Sequence, residues 1–465
     1  MGGGGGSYVR AGDGGGEGAA VKYLVFWLSL AGVPVLAWAI SLKRTWLRWA
    51  FFGMVAGLCL YNETSISFLS HDFYQGSSRG MEVNLVHLLA LAVLLALAIR
   101  GKWQRAFPEG GIRIYAVYFL LCLPSLWNAD SVVVGWLELW KMLMLFLFWH
   151  AVYGFLSATG DMEAIVESLA LFTVLNFWRL AQQHYIWLVD PRGIFPHRNC
   201  MAMAMNLIGP VFLAGYLQLG LRKRLGWICA VAFVVSALAG MWSYSRGAIA
   251  MAPLAYGLAA AGVLYGTRHA VGWGKVSVRL LPVLLAGVLG LCVMWPNLVN
   301  RFKPTKAHNA SRDTRVELAA CAAEMMRDHP LAGVGINNWT LNLGPEHPYQ
   351  ERAAEKLGRR FQYTRLVETV YLLVGAECGI PALAAMVVWF AWHWTASLRL
   401  CKRLRGAQWH FVAAGLLGGF TANFLQSTLE WVLRQRLNLF FLVFCFGMIA
   451  YLRRRRVQPP AEAAA

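Results

Sequence analysis

Charged residues are scarce in this chain of 465 residues: Asp, Glu, Lys and Arg make up 14% of it, against 58% hydrophobic residues. Soluble domains carry about 25% charged residues, so the deficit excludes an ordinary water-soluble fold. Apolar runs of about 20 residues recur instead along nearly the whole length, each long enough to cross roughly 30 Å of hydrocarbon. The composition therefore predicts an all-α polytopic membrane protein.

The nine cysteines form no C-x-x-C pair, and most of them lie inside apolar runs. Without paired ligand spacing, neither a structural zinc site nor a disulfide framework is expected, and we interpret the cysteines as small hydrophobic residues. The glycine pattern Gly333-Val-Gly335 follows a polar segment rather than a buried strand, so it does not predict a nucleotide-binding loop. No metal and no cofactor are expected.

Acidic residues are also few, 23 against 42 Lys and Arg, which gives a net charge of +19. On a soluble protein this excess would indicate nucleic acid. In a membrane protein, basic residues hold the cytoplasmic loops in place and pair with anionic lipids. Membrane lipids, and not nucleic acid, are therefore the expected partners.

The chain is expected to divide into five parts. Residues 1–20 form a Gly-rich tail that is predicted to be disordered. Transmembrane helices follow over 21–299, a large extracytoplasmic loop over 300–365, further helices over 366–452 and a basic cytoplasmic tail over 453–465. About 12–13 spans are predicted, near residues 21–40, 47–61, 83–99, 113–128, 133–156, 163–188, 200–220, 226–244, 247–265, 278–299, 379–397, 409–428 and 436–452.

Basic residues in the short loops set the orientation, because cytoplasmic loops carry the excess of Lys and Arg. Six basic clusters fall on one side, the predicted cytoplasmic side: Lys43-Arg44-Arg48, Arg100-Lys102-Arg105-Arg113, Arg222-Lys223-Arg224, Arg268-Lys275-Arg279, Arg399-Lys402-Arg403-Arg405 and Arg453 to Arg456. The predicted outward loops are those near 62–82, 129–132, 189–199, 300–365 and 429–435. The N-terminus would then lie outside and the C-terminus inside.

Four arginines lie on the predicted outward side against that bias: Arg192, Arg198, Arg246 and Arg315. An arginine at the edge of the hydrocarbon is costly and usually has a specific partner. Snorkelling to the interface, or ion pairs with Asp190 or Asp313, would be a purely structural explanation. A group of guanidinium side chains also suits a lipid that carries a diphosphate, because each offers paired donors and keeps its charge.

The large loop is polar, mixed in charge and contains His308, His329 and His347. Its segment 315–326 has an amphipathic pattern that predicts a helix, ended by Asp328-His-Pro330. The glycines and asparagines over 333–338 predict a turn after it. This loop is expected to supply the acceptor side of a site that contains the arginines.

Several short motifs follow one another in the chain: Gly193–Asn199, Ser245-Arg-Gly247, the Arg315 helix, Pro330–Gly335 and Tyr371-Leu to Glu377–Ile380. In order, spacing and predicted side, this set resembles the O-antigen ligase and O-antigen polymerase family of the bacterial inner membrane, over residues 180–400. The resemblance implies a metal-independent glycosyltransferase that moves a glycan from undecaprenyl diphosphate to a sugar hydroxyl on the periplasmic face. The acceptor would be lipid A–core for a ligase or a growing polysaccharide for a polymerase, and attack opposite the diphosphate would invert the sugar.

The resemblance also assigns residues. Arg246 and Arg315 would hold the diphosphate with Arg192 as a third donor, and the expected substrate-binding residues are completed by Arg198, Asn199, His347 and Tyr371.

The ligases of this family carry a histidine where this chain has Glu368. A carboxylate can also accept the proton that the acceptor hydroxyl loses, so Glu368 is the predicted general base. Alternatively, Glu368 pairs with Arg365, one helical turn earlier. His347 is a rival base, and Tyr371 could simply pack at the interface.

A transporter or flippase of an anionic lipid-linked glycan is the alternative function, with the arginines along its path. Such a protein is expected to contain internal repeats with broken helices in matching halves. No such symmetry relates residues 1–230 to residues 231–465. The concentration of unusual groups on one predicted side favours an enzyme.

Overall fold

The computed structural model describes residues 17–70, 74–103, 110–267, 273–302 and 306–455. Within these ranges the chain forms α-helices and one small antiparallel hairpin, β1 (Ile66–Ser70) and β2 (Gly80–Val83). The helices are α1 (Glu17–Leu42), α2 (Arg44–Ala56), α3 (Leu85–Ile99), α4 (Gly111–Cys122), α5 (Val132–Thr159), α6 (Met162–Tyr185), α7 (Arg198–Leu219), α8 (Arg224–Trp242), α9 (Arg246–Thr267), α10 (Trp273–Phe302), α11 (Lys306–Asp328), α12 (Tyr349–Leu357), α13 (Val370–Arg403), α14 (His410–Gln426) and α15 (Arg436–Arg454). The predicted all-α polytopic membrane class is confirmed.

Fewer helices meet the length of a membrane span than the sequence predicts. Among the described residues, eight helices are long and apolar enough to cross a bilayer: α1, α5, α6, α7, α8, α9, α13 and α15. Predicted spans at α2, α3, α4 and α14 form helices of 12 to 17 residues, which cover only about 18–26 Å at 1.5 Å per residue. By length and composition, the described residues therefore contain fewer membrane-spanning helices than the 12–13 predicted from the sequence.

The two predicted tails fall mostly outside the described residues, which begin at 17 and end at 455. At the N-terminal end, α1 starts at Glu17, so the last residues assigned to the disordered tail are helical. All nine cysteines are free, and seven of them are buried, as expected for small hydrophobic residues.

Three glycines of α14 bring it into close contact with α7 and α9. A β-carbon at Gly419 would lie 2.2 Å from the carbonyl oxygen of Leu207, and one at Gly418 would lie 2.1 Å from that of Ala255. Small residues of this kind let helix backbones approach closely in a membrane. Gly415 likewise contacts Val211. Because the later glycine, Gly419, contacts the earlier residue Leu207, α14 runs antiparallel to α7. The C-terminal end of α14 therefore lies beside the N-terminal ends of α7 and α9.

Helix α13 is broken near its first third. Gly379 adopts φ 83°, and Pro381 follows it inside the helix. The backbone groups released by the break bond to the large loop: Val334 N donates to Ala376 O at 2.9 Å, and Ile380 N donates to Pro330 O at 2.8 Å. The motifs Pro330–Gly335 and Glu377–Ile380 are therefore hydrogen-bonded to each other through their backbones.

The large loop has a small hydrophobic core of its own. Leu318 and Met325 of α11 pack in it with Trp339, Tyr349 and Leu373. The predicted amphipathic helix is confirmed and is longer than expected, since it begins at Lys306 and ends at Asp328. The predicted turn is confirmed as well, with positive φ at Gly333, Gly335 and Asn337. This core fixes α11 against the first half of α13.

Candidate active site

The start of α9 lies against the segment that follows α14. A β-carbon at Gly247, next to Arg246, would lie 3.2 Å from Oε1 of Glu430 and 3.5 Å from Nε2 of Gln426. The close approach of α14 to α9 produces this contact, and a side chain at position 247 would require the Glu430 carboxyl to shift by a few tenths of an ångström. The Ser-Arg-Gly motif thus places the backbone of Arg246 beside a buried carboxylate.

The loop before α7 is held by two polar side chains of α6. Oε1 of Gln183 accepts hydrogen bonds from the backbone N–H groups of Arg192, at 2.8 Å, and Gly193, at 2.7 Å. Oδ1 of Asn176 accepts a third, from Ile194 at 3.1 Å. Gly193 has φ 61°, a conformation that favours glycine. The predicted Arg192 is therefore presented by a fixed loop.

His197 caps α7, and its environment connects this loop to the large loop. Its Nδ1 accepts from the backbone N–H of Asn199 at 3.2 Å. Burial and the positive charges of Arg198 and Arg192 lower the pKa of the His197 imidazole, and the carboxylate of Glu368 opposes that shift. Glu368 therefore lies within electrostatic range of the loop that carries the two arginines.

Arg315 and Glu368 form an ion pair through Nε of the arginine. This corrects the alternative in which Glu368 pairs with Arg365. The local partner, one turn away in sequence, is replaced by a residue of α11 because that helix packs directly against α13.

The ion pairs of α11 address one part of the predicted structural explanation for Arg315, a pair with Asp313. Asp313 pairs with Arg359 at 3.2 Å, and Arg359 also contacts Glu317 at 2.7 Å. Asp313 is therefore not the ion-pair partner of Arg315, whose carboxylate partner is Glu368. The pair Arg359–Glu317 instead fixes α11 to the end of the loop.

Glu430 lies beside this ion pair and was not predicted from the sequence. Thr369 Oγ1 and Val370 N both donate to Ser427 O at 3.2 Å, which places the segment after α14 against the residues before α13. Glu430 is 8% exposed. The sequence feature that could have identified Glu430 is that it is the one acidic residue in the predicted outward loop 429–435 of a chain with few acidic residues.

The electrostatics of Glu430 identify its neighbours. Burial raises the pKa of the Glu430 carboxyl to about 7. The positive charge of Arg315 and the amides of Asn199 and Gln426 oppose the shift, and the negative charge of Glu368 adds to it. Six residues from five separated segments therefore converge, and we refer to them as the helix-end site: Asn199, Gly247, Arg315, Glu368, Gln426 and Glu430.

Two predicted site residues make other contacts. His347 Nε2 lies 2.9 Å from Oδ2 of Asp130, and its ring stacks on Tyr349 with centroids 6.0 Å apart. The Tyr371 hydroxyl donates to the carbonyl oxygen of Phe424 at 2.9 Å, a packing contact between α13 and α14. The structure brings neither residue into the described contacts of the helix-end site.

Behind the break of α13 lies a buried ionic group. Arg434 Nη1 is 2.5 Å from Oε2 of Glu377, and its Nη2 is 3.0 Å from Oε1 of Glu138. Lys141 Nζ is 2.7 Å from the same Glu138. Through the bond from Trp339 N to Oε1 of Glu377 at 3.3 Å, this group also supports the large loop.

Residues 231–387 match the family model Wzy_C, described as O-antigen ligase. None of the curated proteins matches the chain. The matched region contains Arg246, Arg315, Glu368 and the break of α13, and it supports an O-antigen ligase or polymerase type of function. The family resemblance of the sequence is thereby confirmed over one part of the chain: residues 231–387 of this membrane protein are similar to the O-antigen ligase family.

Proposed function

We propose that this protein is a glycosyltransferase that moves a glycan from undecaprenyl diphosphate to a sugar hydroxyl on the periplasmic face of the bacterial inner membrane. The acceptor is lipid A–core or a growing polysaccharide. One observation carries the proposal: Arg315, the backbone of Arg246 and the Arg192 loop come from three distant segments and approach the same two carboxylates, Glu368 and Glu430. Such a convergence is typical of a substrate site and is not needed to anchor separate helices.

The diphosphate would bind where helix ends and arginines meet. The N-termini of α7 and α9 lie together at this place, and helix N-termini favour anions through their free N–H groups and the helix dipole. Arg315 and Arg246 add forked donors that match phosphate oxygens. Cations held in advance at this position stabilise the charge that grows as the diphosphate leaves, without a metal ion.

The acceptor would enter beneath the large loop, which α11 and α12 form over the start of α13. Its hydroxyl would attack the anomeric carbon from the side opposite the diphosphate, so that the configuration of the sugar inverts. As the new glycosidic bond forms, the bond to the diphosphate breaks and its electrons leave with the lipid. The hydroxyl proton must pass to a base of the protein.

A deletion strain and a purified enzyme together test this function. Loss of polymer from lipid A–core in the strain would indicate a ligase, and single repeat units in place of polymer would indicate a polymerase. The full chain in detergent should transfer glycan from an undecaprenyl-diphosphate donor to the matching acceptor. Absence of transfer, with lipid-linked glycan trapped on the cytoplasmic side of the deletion strain, would instead support the flippase alternative.

A further inference from the structure

Glu430 and Glu368, the general base predicted from the sequence, differ in their ion pairing. The Glu368 carboxylate forms an ion pair with Arg315, the arginine that would face the diphosphate. Within the part of the chain that the structure describes, Glu430 forms no ion pair, although Arg315 lies in electrostatic range. Of the two carboxylates, Glu430 is therefore the one that faces neutral amides, those of Asn199 and Gln426, rather than an ion-pair partner.

A second, independent feature next to Glu430 points to a polar ligand. Gln426 has 0% exposure, and neither atom of its side-chain amide has a hydrogen-bond partner of good geometry among the described residues. A buried amide without partners is unfavourable. The amide lies one helical turn before Glu430, whose backbone N–H donates to Gln426 O at 3.1 Å. Both side chains therefore belong to one polar face at the start of α9.

We propose that Glu430 is the base that accepts the proton of the acceptor hydroxyl, and that the Gln426 amide binds a hydroxyl of the acceptor sugar. This inference rests on the proposed function. In the reaction, the acceptor oxygen bonds to the anomeric carbon and the carbon–oxygen bond to the diphosphate breaks. The proton moves to Glu430, which becomes a neutral carboxylic acid and later returns the proton to solvent. Glu368 is then a positioning residue that orients the Arg315 fork.

The groups around Glu430 make this assignment chemically consistent. The charged side chains that act on it are Arg315 from α11 and Glu368 from the segment before α13, and the amides of Asn199 and Gln426 complete its polar surroundings. The thiol of Cys200 is also in electrostatic range. Burial is the largest influence and raises the pKa of the carboxyl to about 7. A general base is most effective when its pKa lies near the working pH.

The test measures glycan transfer against pH for the full chain in detergent, with undecaprenyl-diphosphate glycan as the donor and its matched acceptor. Wild-type rates should rise with pH through an inflection near 7, because the base must be ionised. Glu430→Gln should lose about 10²–10⁴-fold in rate, the usual contribution of a general base, and should lose this inflection. Glu368→Gln should keep an inflection, displaced to lower pH because the negative charge of Glu368 adds to the rise of the Glu430 pKa. Glu355→Gln, an exposed carboxyl on α12, is the matched control with wild-type behaviour.

Further variants keep the proposal testable if Glu430→Gln does not fold. Glu430→Asp retains a carboxylate one methylene further back, so it should keep part of the activity with a displaced inflection. Gln426→Leu should raise the KM for the acceptor and retain an inflection, displaced to higher pH because the Gln426 amide opposes the rise of the Glu430 pKa.

Each contrary result has a distinct meaning. A folded Glu430→Gln with a near-normal rate, or an unchanged inflection in Glu430→Asp, would overturn the assignment and leave the proposed function standing. Loss of the inflection in Glu368→Gln alone would make Glu368 the base. No transfer by the wild-type protein would reject the function and this inference together.

Discussion

The carboxylate of Glu368 accepts from the Nε–H of Arg315, across 53 residues of chain. Both side chains are partly exposed, at 40% for Arg315 and 33% for Glu368. An exposed pair of this kind contributes only about 0–1 kcal/mol to stability. The contact therefore matters for the position in which it holds the guanidinium group of Arg315 and not for stability.

Removing the charge of Glu368 should loosen the arginine without unfolding the protein. We expect Glu368→Gln to raise the KM for the lipid-linked donor about 5–10-fold, equivalent to roughly 1–1.4 kcal/mol, with little change in Tm. Arg365→Ala is the control, because Arg365 is exposed and is not the partner of Glu368. Equal damage in both variants would restore the local ion pair as the explanation.

Arginine should be required at positions 315 and 246 for its shape as well as its charge. Arg315→Lys and Arg246→Lys keep the positive charge but lose the forked donors that match a diphosphate. Loss of one charge-assisted hydrogen bond, about 1.5–3 kcal/mol, corresponds to a rate loss of at least about tenfold. Initial rates of transfer at equal amounts of folded protein measure the effect. The control is Arg360→Lys, at an exposed position of the large loop, which should not change the rate of transfer. Near-normal turnover in both Arg315→Lys and Arg246→Lys would mean that these arginines only anchor helices.

The buried ionic group behind α13 should determine stability rather than chemistry. Arg434→Met leaves Glu138, whose side chain is 3% exposed, with Lys141 as its remaining ion-pair partner. It leaves Glu377, whose side chain is 0% exposed, without an ion-pair partner among the described residues. Breaking a buried pair from one side typically costs about 3–5 kcal/mol. Thermal unfolding in detergent should therefore show a large fall in Tm. Arg352→Met is the matched control, since its 2.6 Å pair with Asp328 is about half exposed; a similar small effect in both would contradict the prediction.

Glu430 should make the protein less stable as the pH rises. Its carboxyl is neutral in the folded state up to a pKa of about 7, against 4.5 when unperturbed. Between these values unfolding releases a proton, so the stability that the neutral form provides is present below about pH 4.5 and is lost as pH rises through 7. Glu430→Gln stays neutral throughout. Its Tm should therefore match the wild type at pH 4.5 and exceed it at pH 8, and a pH-independent difference would exclude this linkage.

Much of the fold and part of the site follow from the sequence. Apolar runs predict helices because a membrane leaves few other ways to satisfy the backbone, and the amphipathic pattern after Arg315 predicts α11. The arginines at 192, 246 and 315 are also identifiable in advance, since each interrupts an apolar or acid-poor context. Their convergence is an expectation that the geometry of the chain supports.

Glu430 and the true partner of Glu368 depend on long-range packing, which sequence patterns do not reveal. The glycines of α14 occur within an ordinary apolar run, yet they bring Gln426 and Glu430 to the start of α9. Arg315 displaces Arg365 as the partner of Glu368 only because the large loop forms its own core against α13. A local rule such as the pairing of residues three or four apart cannot anticipate either contact.

Orientation in the membrane decides on which face the helix-end site lies, and the excess of Lys and Arg in the loops predicts it. A phosphatase that is active only in the periplasm should work when inserted at Gly358, an exposed residue that follows α12. The same reporter should stay inactive after Arg455, at the end of α15, and at Arg222, an exposed loop residue between α7 and α8. The control for expression is a reporter that works only in the cytoplasm, placed at the same three positions, which should give the opposite pattern. If the phosphatase worked at Arg222 and failed at Gly358, the site would face the cytoplasm. A periplasmic transfer from undecaprenyl diphosphate would then be excluded, because the diphosphate of a periplasmic donor and the arginines of the site would lie on different sides of the membrane.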